Sequence, residues 1–142
     1  MKKATPARRP IVVKLGGELL EEASSLRQMA RTLAELAMRE PLVVVHGGGQ
    51  EINADLAKHG IPKQFVDGLR ITDGDTLNIV VGVLAGRVNT RLVAAISAAG
   101  SSAVGLTGAD ASLVPVRGER AYRSADGTSW NLGYVGRPYS IE

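Results

Sequence analysis

The sequence predicts an α/β fold, a three-layer αβα sandwich with a mostly parallel sheet and a β-hairpin flank. Three observations carry that prediction. Residues 11–18 (IVVKLGGE) and 42–50 (LVVVHGGGQ) are short β-branched and aliphatic runs that stop at glycines and give way to helical patterns, as buried parallel strands feeding helices do. Between them lies an apolar stripe at helical spacing, so the stretch reads as a βαβ unit with a right-handed crossover. In the carboxy-terminal part, glycines punctuate short segments that contain Tyr122, Trp130 and Tyr134, the pattern of β-hairpins.

After the first strand, Ser25 with Gln28 three residues on makes a capping-box pattern. Leu26, Met29, Ala30, Leu33, Leu36 and Ala37 form the stripe, and Pro41 ends that helix. A shorter helix is predicted over 50–59, with Ile52 and Leu56 on one face and Gly60 as its cap. Residues 61–70, with Pro62 and Gly68 around Gln64-Phe65-Val66, read as a loop or a short hairpin. Asp73 is placed to cap a helix whose Leu77, Val80, Val81 and Leu84 share a face. Gly86 then interrupts, and Val88, Leu92, Ile96 and Ala99 begin a new stripe that runs to Gly100. Residues 103–106 read as a third buried strand.

At 142 residues the chain is one domain by length, able to bury roughly two-thirds of its unfolded surface. A hydrophobic fraction of 44% with 22% charged residues describes a globular chain rather than a disordered one. The net charge of +3 is a property of the tail: Lys2, Lys3, Arg8 and Arg9 precede any acidic residue, and 13 basic residues then face 14 acidic ones. Residues 1–10 are therefore expected to be a basic, disordered, solvated tail, with a nucleic-acid-binding arm as the lesser reading. With no cysteine, neither a disulfide framework nor a thiolate metal site is expected. No apolar stretch of signal-peptide type is seen, and no run nears the ~18 apolar residues that span a bilayer, so a cytoplasmic protein without membrane partners is expected.

The motifs of P-loop NTPases, dinucleotide-binding folds, zincins and α/β-hydrolases do not occur. His46 and His59 stand thirteen residues apart in unlike contexts, so no metal site is expected, and His46 reads as a half-buried residue shaping the glycine turn. Two strand–glycine units side by side make a phosphate cradle: glycines let backbone N–H groups approach an anion, and the following helix N-terminus adds a favourable dipole. Lys14 ends the first strand as a full charge facing that cradle, or as a lysine reaching out to solvent. Gly47-Gly48-Gly49 is a cradle or a flexible tight turn. Arg70 is a surface arginine or a fork for a carboxylate.

Taken in order, VVKLGG, VVVHGGGQEIN, DGLRITD, GVLAGRVNTRLV, AVGLTGAD and LGYVG resemble the amino-terminal half of the amino-acid kinases, most of all the N-acetylglutamate kinases of arginine biosynthesis. The resemblance runs from residue 11 to the end of the chain. It implies that residues 11–142 are the acyl-amino-acid-binding lobe, with a carboxy-terminal nucleotide lobe missing from this sequence. It implies transfer of the ATP γ-phosphoryl group to the side-chain carboxylate of N-acetyl-L-glutamate, with Mg2+ accompanying ATP and most of the nucleotide site on the missing half.

By motif, Lys14 would be catalytic and would bind the transferring phosphoryl group together with Gly16 and Gly17. Gly48 and Gly49 would hold the substrate, and Arg70 would grip its α-carboxylate. The family also implies a homodimer. Two alternatives stand beside this reading: a related kinase acting on carrier-linked aminoadipate or glutamate, and a non-catalytic module that binds an acidic metabolite or dimerises.

Overall fold

The computed structural model describes residues 8–119 and 121–139. The elements follow in the order β1 (Ile11–Leu15), α1 (Glu18–Glu21), α2 (Ala23–Ala37), β2 (Leu42–His46), α3 (Gly49–Lys58), β3 (Phe65–Val66) and β4 (Leu69–Arg70). Next come α4 (Gly74–Val81), a π-helical segment (Gly82–Val88), α5 (Asn89–Ala98) and a 3-10 turn (Asp110–Ser112). β5 (Val116–Gly118), β6 (Tyr122–Arg123), β7 (Ser129–Trp130) and β8 (Gly136–Pro138) complete the described chain. The predicted α/β class, with parallel strands, helices and hairpins, holds. The chain divides into two compact units, one of residues 8–48 with Val88–Val104 and one of Gly49–Arg87 with residues 105–139.

In the first unit β1 and β2 pair in parallel from Ile11↔Leu42 to Leu15↔His46. Successive side chains alternate faces. Leu15 is buried and Val13, Val44 and His46 are half-buried on one side, whereas Val12, Val43 and Val45 are 65%, 46% and 49% exposed on the other. Helix α2 packs against α1 and α5, through buried Leu26, Ala30, Leu33 and Ala34 on α2 and Leu92 and Ile96 on α5. Leu20 of α1 is fully buried, a contribution of about 1.5–3 kcal/mol for a side chain of that size.

The expected capping box at Ser25 does not form. The chain is extended at Glu22 and helical from Ala23, so Ser25 already sits inside the first turn, while Ser24 bonds back to the Glu22 carboxylate. Most of the expected tail, residues 1–7, lies outside the described residues. Arg8 donates to the Arg39 carbonyl at 3.0 Å and meets Glu40 at 3.7 Å. Residues 103–106 are not a strand: Val104 is 83% and Leu106 64% exposed, and an apolar run alone does not supply a pairing partner.

In the second unit α3 packs on α4, and Ile52 and Leu56 face inward as their spacing predicts. Gly60, at φ +69°, ends α3 with Ile61 N–H bonded to the Leu56 carbonyl. β3 and β4 form a hairpin with Phe65↔Arg70 and Val66↔Leu69 in register. Its two turn residues, Asp67 (φ 48°) and Gly68 (φ 79°), are both left-handed, the Asp-Gly turn that matches strand twist. Two further antiparallel pairs are nested, β6–β7 within β5–β8, as the glycine punctuation predicts. Leu132 is fully buried beside them in sequence.

Helix α4, the π segment and α5 run on without a break, which corrects the predicted interruption at Gly86. A π turn widens the helix by about one residue per turn, so the helix passes both Gly82 and Gly86. The buried positions in α4 and the π segment are Thr76 and Val83 rather than Leu77, Val80, Val81 and Leu84. Gly74–Ala98 is thus 25 residues long, and by length and composition it is apolar enough to cross a membrane, contrary to the reading of the sequence in short runs. Val83, Val88, Leu92 and Ile96 are nonetheless buried within the fold, as on a core helix.

Candidate functional site

Lys14 is the fourth residue of β1 and pairs with Val45. It lies on the open face of the sheet with Val12 and Val43, and its side chain is exposed. Its place is fixed by strand alternation: Leu15 must turn inward, so Lys14 turns out. Gly16 and Gly17 follow directly, with Gly17 (φ −58°, ψ −38°) leading into α1. Gly48 closes the first unit and is buried. His46 is half-buried, with Nδ1 3.2 Å from the Gly47 carbonyl oxygen, in keeping with a residue that shapes the turn.

A side chain at Gly47 or Gly49 would meet no atom within 4 Å, and at Gly16 only the Glu18 carboxylate at 3.4 Å. None of the three has a positive φ. Neither backbone conformation nor internal packing therefore demands glycine at these positions. What glycine leaves there is bare backbone beside open space, which suits close approach by an anion.

In the second unit, Gly49 opens α3 and Arg70 ends β4. Arg70 is part-buried, and three relationships define its guanidinium. Nη2 donates to Asn53 Oδ1 of α3 at 2.6 Å. The Phe65 ring lies beneath the group, 4.5 Å from Cζ to the ring centroid. Nη1 is buried and has no hydrogen-bond partner. Burial pulls the guanidinium below its ordinary pKa, although arginine still stays charged at neutral pH. A buried cationic N–H without an acceptor is costly, and a carboxylate at that edge removes the cost.

The segment after Arg70 is tightly tied. Thr72 is buried, its hydroxyl donates to the Arg70 carbonyl at 3.0 Å, and its N–H donates to the Leu132 carbonyl at 2.9 Å. Asp73 caps α4 as predicted, accepting from Thr76 N–H at 2.8 Å, which holds its carboxyl below the usual range. At the hairpin tip, Asp67 Oδ2 accepts from Tyr122 Oη at 3.0 Å and from Ala125 N–H at 2.9 Å. Among the described residues, no three His, Asp or Glu side chains stand together as metal ligands.

Sequence reasoning passed over Asn53 and Phe65. Asn53 follows Gly49 by four residues, so it lies on the same face of α3, and Phe65 is the cross-strand partner of Arg70 once the Asp67-Gly68 turn is read as a two-residue hairpin.

A model of the amino acid kinase family matches residues 9–138. The chain is 47% identical over 112 residues to an acetylglutamate kinase of Trichodesmium erythraeum, covering 78% of this chain and 38% of that protein. It is 42% identical over 139 residues to an acetylglutamate kinase of Synechocystis, covering 96% and 43% respectively. The chain therefore spans less than half the length of these relatives. Among solved structures it is similar to smu.665 of Streptococcus mutans, with a TM-score of 0.69 and 26% identity, over 92% of this chain and 50% of the other.

Proposed function

The chain belongs to the amino acid kinase family, and from that premise we propose that it is the acyl-amino-acid-binding lobe of an N-acetylglutamate kinase. The reaction is transfer of the γ-phosphoryl group of ATP to the side-chain carboxylate of N-acetyl-L-glutamate. The names of the two relatives support the substrate. The observation that carries the reading is Arg70 Nη1, a buried cationic donor with no acceptor of its own.

In this reading Arg70 takes the α-carboxylate of the substrate. The guanidinium has five N–H donors and spends one on Asn53, so two remain available to a carboxylate fork. The side-chain carboxylate is itself the nucleophile, so the protein supplies no general base. Its task is to position two anions and offset the charge that develops between them. Gly48 and Gly49 offer backbone N–H groups to the attacking carboxylate, Gly16 and Gly17 offer theirs to the phosphoryl group, and Lys14 supplies the full positive charge. Mg2+ arrives with the nucleotide as counter-charge. A cytoplasmic homodimer is part of the same proposal.

A thermal-shift titration tests it, with N-acetyl-L-glutamate, Mg-ATP and L-glutamate as separate ligands. A ligand that binds only the native state raises stability with concentration. A rise with N-acetyl-L-glutamate and none with L-glutamate is expected. An equal rise with both, or none with either, overturns the assignment of the acetylated substrate.

A further inference from the structure

We infer that Asn53 and Phe65 are positioning residues that hold the Arg70 guanidinium in one orientation, with its Nη1 edge presented to a carboxylate before any ligand arrives. The inference rests on the reading of Arg70 as the carboxylate-binding residue and adds the device that prepares it. An arginine side chain has large rotamer freedom, and immobilising it on binding costs affinity. Here much of that freedom is already gone. Asn53 Oδ1 fixes Nη2 at 2.6 Å, and the Phe65 ring fixes the plane from below at 4.5 Å. Together a point contact and a planar one define both the position and the rotation of the group.

The chemistry of the two partners also matters. Both are neutral, so they orient the cation without cancelling its charge, which an aspartate or glutamate partner would do in part. Each sits on a regular element that fixes it: Asn53 in the middle of α3, and Phe65 directly across the hairpin from Arg70. The buried, unpartnered Nη1 is the consequence of this arrangement. Free rotation would let the group turn Nη1 to solvent, and the two contacts prevent it.

The test combines nuclear magnetic resonance of the arginine guanidinium groups in the ligand-free chain with calorimetric titration of N-acetyl-L-glutamate. In the unsubstituted chain Arg70 is expected to give resolved, slowly rotating Nη signals. Asn53→Leu keeps the side-chain shape and removes the acceptor, and is expected to average those signals and weaken binding roughly 10-fold, the scale of one hydrogen bond to a charged group. Asn53→Asp keeps an acceptor and restores the single orientation. Phe65→Leu, at a half-exposed position whose loss leaves the fold intact, is expected to weaken binding about 2- to 5-fold, the scale of a cation–π contact.

Resolved Arg70 signals that survive Asn53→Leu and Phe65→Leu overturn the inference. If Asn53→Leu fails to fold, Phe65→Leu and Asn53→Asp decide it through the same signals. If Arg70→Ala leaves N-acetyl-L-glutamate binding unchanged, the functional reading falls while the orientation is still judged by the ligand-free spectra.

Discussion

Thr72 and Gly133 lie side by side as a parallel bridge, with Thr72 N–H bonded to the Leu132 carbonyl at 2.9 Å and Tyr134 N–H bonded to the Thr72 carbonyl at 2.7 Å. The approach is so close that a methyl group on residue 133 would overlap the Thr72 carbonyl, and Gly133 is also left-handed at φ +72°. Through this bridge the carboxy-terminal hairpins hold the segment that connects Arg70 to the cap of α4. Gly133→Ala is expected to destabilise the chain by about 2 kcal/mol or more, since overlap and backbone strain act together. Chemical denaturation measures it, and a loss below about 0.5 kcal/mol would show that the bridge yields easily.

At Gly49 the opposite holds. A methyl group there meets nothing within 4 Å and φ is not positive, and alanine is the better helix former. Gly49→Ala should therefore leave the unliganded melting temperature unchanged or slightly raised, while removing the stabilisation given by N-acetyl-L-glutamate. An unaltered ligand response would remove Gly49 from the proposed substrate contacts.

Lys14→Ala and Arg70→Ala should abolish ligand-induced stabilisation and leave the unliganded protein nearly as stable as before. Lys14 is exposed and caps no element, and Arg70 spends only one donor on the fold. A drop of ten degrees or more in the unliganded melting temperature would make either residue structural instead.

The acid limb of stability should carry the signature of Asp73. Its carboxyl is held below the usual range by the Thr76 N–H, so its contribution is present above the unfolded value of about 3.9 and is lost as pH falls through the lower folded value. Melting temperatures of the unsubstituted chain and of Asp73→Ala should differ by a constant few degrees above about pH 5 and converge below about pH 3. Parallel curves across that range would refute the cap as an electrostatic contributor.

The alkaline limb belongs to Tyr122. Its hydroxyl donates to Asp67, which raises its pKa above the ordinary tyrosine value. The proton is bound more tightly in the folded chain, so this contribution is present below about pH 10 and is lost as pH rises through the folded value. Tyr122→Phe should remove that alkaline loss, read as the difference between the two unfolding profiles from pH 8 to 11.

Much of this was legible in the sequence because it is local. The strand–glycine units, the Asp73 cap and the α3 face at Ile52 and Leu56 each follow from a few neighbouring residues. Arg70 stood out as a candidate for the same reason. Its partners did not, because the 2.6 Å bond to Asn53 spans seventeen residues and becomes visible only when the hairpin and α3 are in place. The run at 103–106 misled because apolar residues indicate a tendency to pair, not a strand to pair with. The buried face of α4 was misjudged because a 3.6-residue period was applied across a segment that does not keep it.

That segment, Gly82–Val88, makes the long helix a matter of counting. Val83 and Val88, both buried, are five residues apart, whereas Val88, Leu92 and Ile96 follow at intervals of four. One residue more or less between Val83 and Val88 would turn every later side chain by about 100° about the axis. Single-residue insertions and deletions are therefore barred from this stretch, while like-sized replacements pass freely: its length, more than its composition, is the inherited quantity.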